Sequence, residues 1–118
     1  MEPLNPVAVE ARIRELSNQI ARGVKILSSA HSKFLDADRE YDRVYAQRYF
    51  MAEGSVEDRK QRAKLESLDA RAVRDSAEVE YQFARNTARS LEEQLRAMQS
   101  VGASVRSMYS VAGRGEGA

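Results

Sequence analysis

The stretch Met51-Ala52-Glu53-Gly54-Ser55-Val56-Glu57-Asp58 reads as the end of one helix followed at once by the start of another. Gly54 supplies the left-handed residue at which helices commonly stop. Ser55 is a ready N-cap for the helix that follows. Asp58, three residues on, completes an acidic version of the capping box, in which each residue's side chain accepts from the other's backbone N–H. Only two or three residues separate the two helices, and a connection that short makes them antiparallel neighbours.

Toward the N-terminus, apolar residues recur in alternating steps of four and three: Val9, Ile13, Leu16, Ile20, Gly23, Leu27, Ala30, Phe34, Ala37, Tyr41, Val44, Arg48 and Met51. Arg48 is the only charge among them. A seam of this period over about six heptads specifies coiled-coil packing. Its start is marked by Asn5-Pro6, a capping side chain followed by the residue best suited to the first helical position. The first helix is therefore expected over about 6–52. Gly23 weakens it by about 1 kcal/mol relative to alanine; it marks either a close helix approach or a tolerated flaw, and the flaw is slightly favoured.

Toward the C-terminus, a helix is expected over about 56–109, its second half carrying an equally regular seam of Ala77, Tyr81, Ala84, Ala88, Leu91, Leu95, Met98, Gly102, Val105 and Tyr109. Continued backwards, that register meets Arg74, Ala70, Ser67, Ala63 and Lys60. The larger apolar residues Leu65, Leu68, Ala72 and Val79 lie on a shifted stripe, so a register slip or loose packing is expected between about 65 and 77. Residues 1–110 read as one helical hairpin domain, and 111–118, ending in GRGEGA, as a flexible tail.

Composition agrees with an all-α chain of solvated helices. Charged residues are 31% of the 118, and the signs nearly cancel at +1, so attraction to nucleic acid must come from a local patch. Both prolines, Pro3 and Pro6, lie at or before the start of the first helix, and nothing alternates with period two. Cysteine is absent, which removes disulfide and thiolate chemistry and suits a reducing compartment. No apolar run approaches the roughly 20 residues of a membrane span, and the N-terminus has no signal-peptide pattern. A soluble cytoplasmic protein is expected. A two-helix hairpin of this length has more apolar edge than it can cover alone, so association into an oligomeric helical bundle or ring is also expected, burying residues such as Val24, Ile26, Tyr45 and Val79.

The pattern gives no sign of catalysis. His31 is the only histidine, without a second for metal binding. Asp36, Asp38, Glu40 and Asp42 alternate with other residues and read as a solvated face, Asp36 sharing a side with Glu40 and Asp38 with Asp42. No Gly-rich phosphate loop or nucleophile elbow occurs. No enzyme activity, metal or cofactor is expected.

The segment around the turn is the richest in polar chemistry. Residues 43–64 hold six basic and three acidic side chains, with aromatics interleaved in Arg43-Val-Tyr45-Ala-Gln47-Arg48-Tyr49-Phe50 and cations following in Arg59-Lys60-Gln61-Arg62-Ala63-Lys64. Folding at Gly54 brings both runs to one end of the hairpin. Basic side chains track phosphates, and Tyr or Phe can stack on unpaired bases. The plainer reading is that the charges keep this end solvated while the aromatics pack.

Tyr41-Asp-Arg-Val-Tyr-Ala-Gln-Arg-Tyr-Phe50 leading into the Gly turn, together with LEEQLRAMQSVGASVRSMYSVAG at 91–113, resembles the UvsY family of phage recombination mediators and related small helical phage proteins. The resemblance spans most of the chain as a pattern of residue types. It implies a homo-oligomer that binds single-stranded DNA and helps load a recombinase onto DNA covered by single-strand-binding protein, in the host cytoplasm. By position it implies DNA contacts from Arg43, Arg48, Tyr49, Arg59, Lys60, Arg62 and Lys64. It also implies assembly through Leu91, Leu95, Met98, Val101, Val105, Met108 and Tyr109. The alternative function is a structural or adaptor coiled coil, such as a phage assembly or scaffolding factor, acting through protein–protein contacts alone.

Overall fold

The computed structural model describes residues 5–116. It is all-α: α1 spans Pro6–Met51, α2 Val56–Glu66 and α3 Leu68–Glu116, with no strand among the described residues. α2 and α3 run antiparallel to α1, as the short turn requires. Contacts divide the chain into two compact units, one of Met1–Lys25 with Asn86–Ala118 and one of Ile26–Arg85.

Both helix starts are built as the sequence dictates. Asn5 Oδ1 accepts from the Ala8 N–H at 2.9 Å. Gly54 adopts φ 109°, the one positive φ among the described residues. Ser55 Oγ accepts from the Asp58 N–H at 3.1 Å, and Asp58 Oδ2 accepts from the Ser55 N–H at 3.3 Å, closing the capping box.

In the first unit, the seam residues of α1 meet the late seam of α3. Val9 and Leu16 of α1 are buried, as are Gly102 and Val105 of α3. Gly102 is the close-approach glycine: a Cβ there would lie 3.1 Å from Val9 Cγ1. A Cβ at Gly23 would have nothing within 4 Å, so this glycine is a flaw in the helix, not a contact.

In the second unit, α1 keeps its seam through Val44 and then drifts by one residue. Tyr45 and Tyr49 are half-buried and Ala52 is buried, while Arg48 and Met51 are exposed. A straight α-helix gains about 20° per heptad on a 3.5-residue repeat, and a run of two four-residue steps, 41-45-49, absorbs that gain. The returning helix makes the same adjustment at 59-63-67.

Of the register slip or loose packing expected between 65 and 77, the slip does not occur, although the helix breaks there at Ser67. The covered stripe of α2 and α3 is the plain backward continuation, Ala63, Ser67, Ala70, Arg74 and Ala77, whereas Leu65, Leu68, Val73 and Val79 are exposed. Size explains the choice. α1 brings Phe34, Tyr41, Tyr45 and Tyr49 to its covered side in this unit, and small residues on the facing helix leave them room. Lys60, the last position of that backward register, is exposed, and half-buried Arg59 takes its place.

The second helix is not one element. Ser67, only 1% exposed, separates α2 from α3 with φ −105° and ψ 6°. Its N–H is shared between the Ala63 and Lys64 carbonyls, and its Oγ donates to the Lys64 carbonyl at 3.3 Å. Serine competes locally for backbone carbonyls in this way. At the far end, α3 passes Tyr109 and continues to Glu116, into the segment expected to be a tail. No proline stops it, and isolated glycines cost about 1 kcal/mol each without ending a helix. Residues 117–118 of that tail lie outside the described residues.

Candidate nucleic-acid interface

The turn end of the second unit gathers aromatic and basic side chains because the heptad drift of α1 rotates Tyr45 and Tyr49 toward the returning helix. Tyr45, Ala46, Tyr49, Phe50 and Lys60 line an open groove of about 440 Å³. Phe50 is 87% exposed, an unusual position for a phenylalanine. Tyr41 continues the aromatic row, its ring centroid 6.5 Å from that of Tyr45. Lys60 and Lys64, four apart, stand on one side of α2, so both ammonium groups serve the same flank. Chemically, the groove offers flat rings to a planar ligand and a point charge to an anion beside it.

The seven residues expected to face DNA divide accordingly. Tyr49 and Lys60 are in the groove, and Lys64 is exposed and forms no ion pair among the described residues. Arg43 is held by Glu40 in a two-pronged arrangement, Nε to Oε2 at 2.9 Å and Nη2 to Oε1 at 2.7 Å. The Arg43 hydrogen bonds hold the Glu40 carboxyl below its ordinary pKa and, in return, raise that of Arg43. Arg48 and Arg62 lie on either side of Glu66, at 3.9 and 3.6 Å. Arg62 belongs to a separate open groove of about 520 Å³ with Glu53, Asp58, Gln61 and Leu65, whose carboxylates repel an anion. Arg59 is half-buried, and its Nε is closed to solvent without an acceptor. The six cations therefore do not make one surface.

The residues expected to drive assembly are partly spent within the chain. Leu91, Leu95, Met98 and Val101 are half-buried and Val105 is buried, leaving Met108 and Tyr109 exposed at 70% and 55%. Phe50 and Tyr45 join the groove although they are not among the seven residues that the resemblance implies; their signal in the sequence is the pair of aromatics at i and i+4 with a third adjacent. His31 packs edge-on to Tyr81, with ring centroids 4.7 Å apart. Lys33 Nζ donates to Glu80 Oε2 at 2.9 Å nearby. Among the described residues no group of three His, Cys, Asp or Glu side chains is placed to hold a metal ion, and no helix is long and apolar enough to cross a membrane.

No protein-family model matches the chain, and neither a curated protein nor a solved structure matches it.

Proposed function

We propose that this chain is a non-enzymatic helical protein that binds single-stranded DNA at the turn end of its hairpin and acts as a recombination mediator. The observation that carries this reading is the groove of Tyr45, Tyr49 and Phe50 with Lys60 on its rim. A fully exposed ring beside two half-covered ones can stack successive bases, and stacking is indifferent to sequence. Lys60 and Lys64 supply phosphate contacts on the same flank. With a chain charge of only +1, affinity from one hairpin is weak, and a homo-oligomer would multiply it. The further role, helping a recombinase onto DNA held by single-strand-binding protein in the host cytoplasm, follows from the resemblance to UvsY-like mediators.

Fluorescence anisotropy of a labelled oligo-dT tests this directly. Binding weakens between 50 and 200 mM salt, with the low slope of about two phosphate contacts per chain. Phe50→Ala lowers affinity about tenfold, in line with the loss of one base–aromatic stack. Equal binding by wild type, Phe50→Ala and Lys60→Ala removes the support for this reading.

The exposed row of Leu65, Leu68, Val79 and Phe83 favours a second reading, a coiled-coil structural or adaptor protein acting through protein contacts. It expects no DNA affinity at moderate salt.

A further inference from the structure

Leu65, Leu68, Ala72, Ser76, Val79 and Phe83 follow one another in steps of 3-4-4-3-4, the spacing of an 11-residue repeat, from the end of α2 across Ser67 into α3. Helices with that repeat keep a stripe nearly straight along the axis. At 100° per residue the row lies on the side of α2 and α3 opposite Ala63, Ala77 and the rest of the stripe packed on α1. Leu65, Leu68, Val79 and Phe83 keep 69%, 50%, 70% and 72% of their surface open. We infer that this face is the site of a parallel, in-register pairing with the same face of a second copy of the chain.

Surface area leaves room for such a partner. It exposes 8974 Å². A compact monomer of 13.3 kDa exposes about 6,450 Å². The difference of about 2,500 Å² is well beyond the roughly 800 Å² per partner of a stable interface.

Charge argues that the cover is a second copy in the same direction. In a parallel pair of helices, residues five apart on the two flanks of the seam meet across the interface. Glu57 with Arg62 and Lys64 with Asp69 are such pairs, and both are of opposite sign; within the chain Glu57 accepts from Gln61 at 2.9 Å and Arg62 lies 3.6 Å from Glu66, so Lys64 with Asp69 is the pair left for a partner. Two-fold symmetry makes each pair twice. Lys64 and Asp69 form no ion pair within the chain among the described residues. The next pair in the row, Asp75 with Glu80, is of like sign, but both carboxylates are already engaged. Asp75 lies 3.3 Å from Arg74 and Glu80 lies 2.9 Å from Lys33. Ala72 and Ser76 at the middle of the row let the two backbones approach, with larger side chains packing at either end.

The same arrangement sets the two turn ends at one end of the pair. The pairing itself does not depend on DNA binding and is read by mass alone.

The test uses the full chain without DNA. Light scattering or sedimentation at micromolar concentration gives a dimer or an even multiple of one. Leu68→Glu with Val79→Glu gives monomer with the helical circular dichroism unchanged, since both residues are exposed in the single chain. Lys64→Glu raises the dissociation constant about tenfold, through two symmetry-related pairs turned repulsive, and adding Asp69→Lys restores it. The chain has no cysteine, so Gln61→Cys reports direction cleanly. Gln61 lies 11 residues before Ala72 on the same row, and oxidation links two copies only if they run in register. A wild-type monomer overturns the inference, as does association indifferent to Leu68→Glu with Val79→Glu. A dimer that Gln61→Cys fails to cross-link, as an antiparallel pair would, overturns it too.

Discussion

Arg74 Nε donates to Asp38 Oδ1 over 2.6 Å, joining α3 to α1, while the same guanidinium lies 5.7 Å from the centre of the Phe34 ring. The Asp38 hydrogen bond raises the Arg74 pKa above its ordinary value. Arg74 occupies a seam position that a leucine would ordinarily fill, and its stem and planar head replace that leucine by lying over the ring. Arg74→Ala is expected to lower the thermal midpoint by a few degrees, and Arg74→Lys by part of that, since an ammonium cannot lie flat on Phe34. Asp38→Asn and Arg74→Ala together should cost less than the sum of the two singles. Thermal melts followed by circular dichroism read all four; strict additivity would mean that the pair is not coupled.

The glycines should respond in different directions to a single added methyl. Gly23→Ala meets nothing within 4 Å and gains helix propensity, raising stability by about 1 kcal/mol. Gly54→Ala forces a φ of 109° on an L residue and drives its Cβ to 2.9 Å from Asp58 Oδ2, which strains the turn and disturbs the capping box. A loss of about 1–2 kcal/mol is expected. Gly102→Ala sits between the two, its propensity gain opposed by the Val9 methyl. Urea titrations rank the set, and a destabilising Gly23→Ala would contradict the open space around that residue.

Leu16 and Leu65 are the same residue type in opposite circumstances. Leu16 is 1% exposed and Leu65 69% exposed. Leu16→Ala is expected to cost about 3 kcal/mol from lost burial and the cavity left behind. Leu65→Ala should leave the stability of the single chain within about 0.5 kcal/mol of wild type. Chemical denaturation at low protein concentration separates the two, and comparable losses would place Leu65 in the covered stripe.

Glu40 competes with any anion for Arg43. Because the Glu40 pKa is lowered in the folded chain, the contribution of this pair is present above the unfolded carboxylate pKa. It is lost as the pH falls through the lowered value. Both side chains are exposed, so that contribution is small. The freed guanidinium is the larger consequence. Glu40→Gln is expected to raise affinity for single-stranded DNA about two- to threefold by removing a competing charge. It should also flatten the rise in binding toward acid pH. Unchanged anisotropy curves would show that Arg43 stands away from the ligand.

Most of the framework could be read from residue order. Gly54 and the Ser55–Asp58 pair placed the turn because their backbone requirements are local and few other residues meet them. The seams Val9–Val44 and Ala77–Val105 were legible because a period held over many turns outweighs any single residue. The segment 65–77 is less legible for the opposite reason. Hydrophobicity alone favours Leu65 and Leu68 for the interior, but the tyrosines across from them leave space only for Ala63, Ser67 and Ala70. That preference belongs to the facing helix and is invisible along α2 itself. The turn-end site was legible in kind but not in detail. Charge counting along 43–64 could not reveal that Glu40 and Glu66 occupy three of the arginines, nor that Phe50 stands clear of the surface while Tyr49 turns in.

The break at Ser67 gives α2 a thermodynamic life of its own. With Ala63 its only buried residue and eleven residues in all, it is held by a cap at one end and a shared carbonyl contact at the other. Such a segment opens at a free energy well below that of the whole molecule. Amide protons of 57–66 should therefore exchange with deuterium ahead of those in 77–105. The face that carries Lys60 and Lys64 can then loosen and reseat while the long helices beside it stay closed.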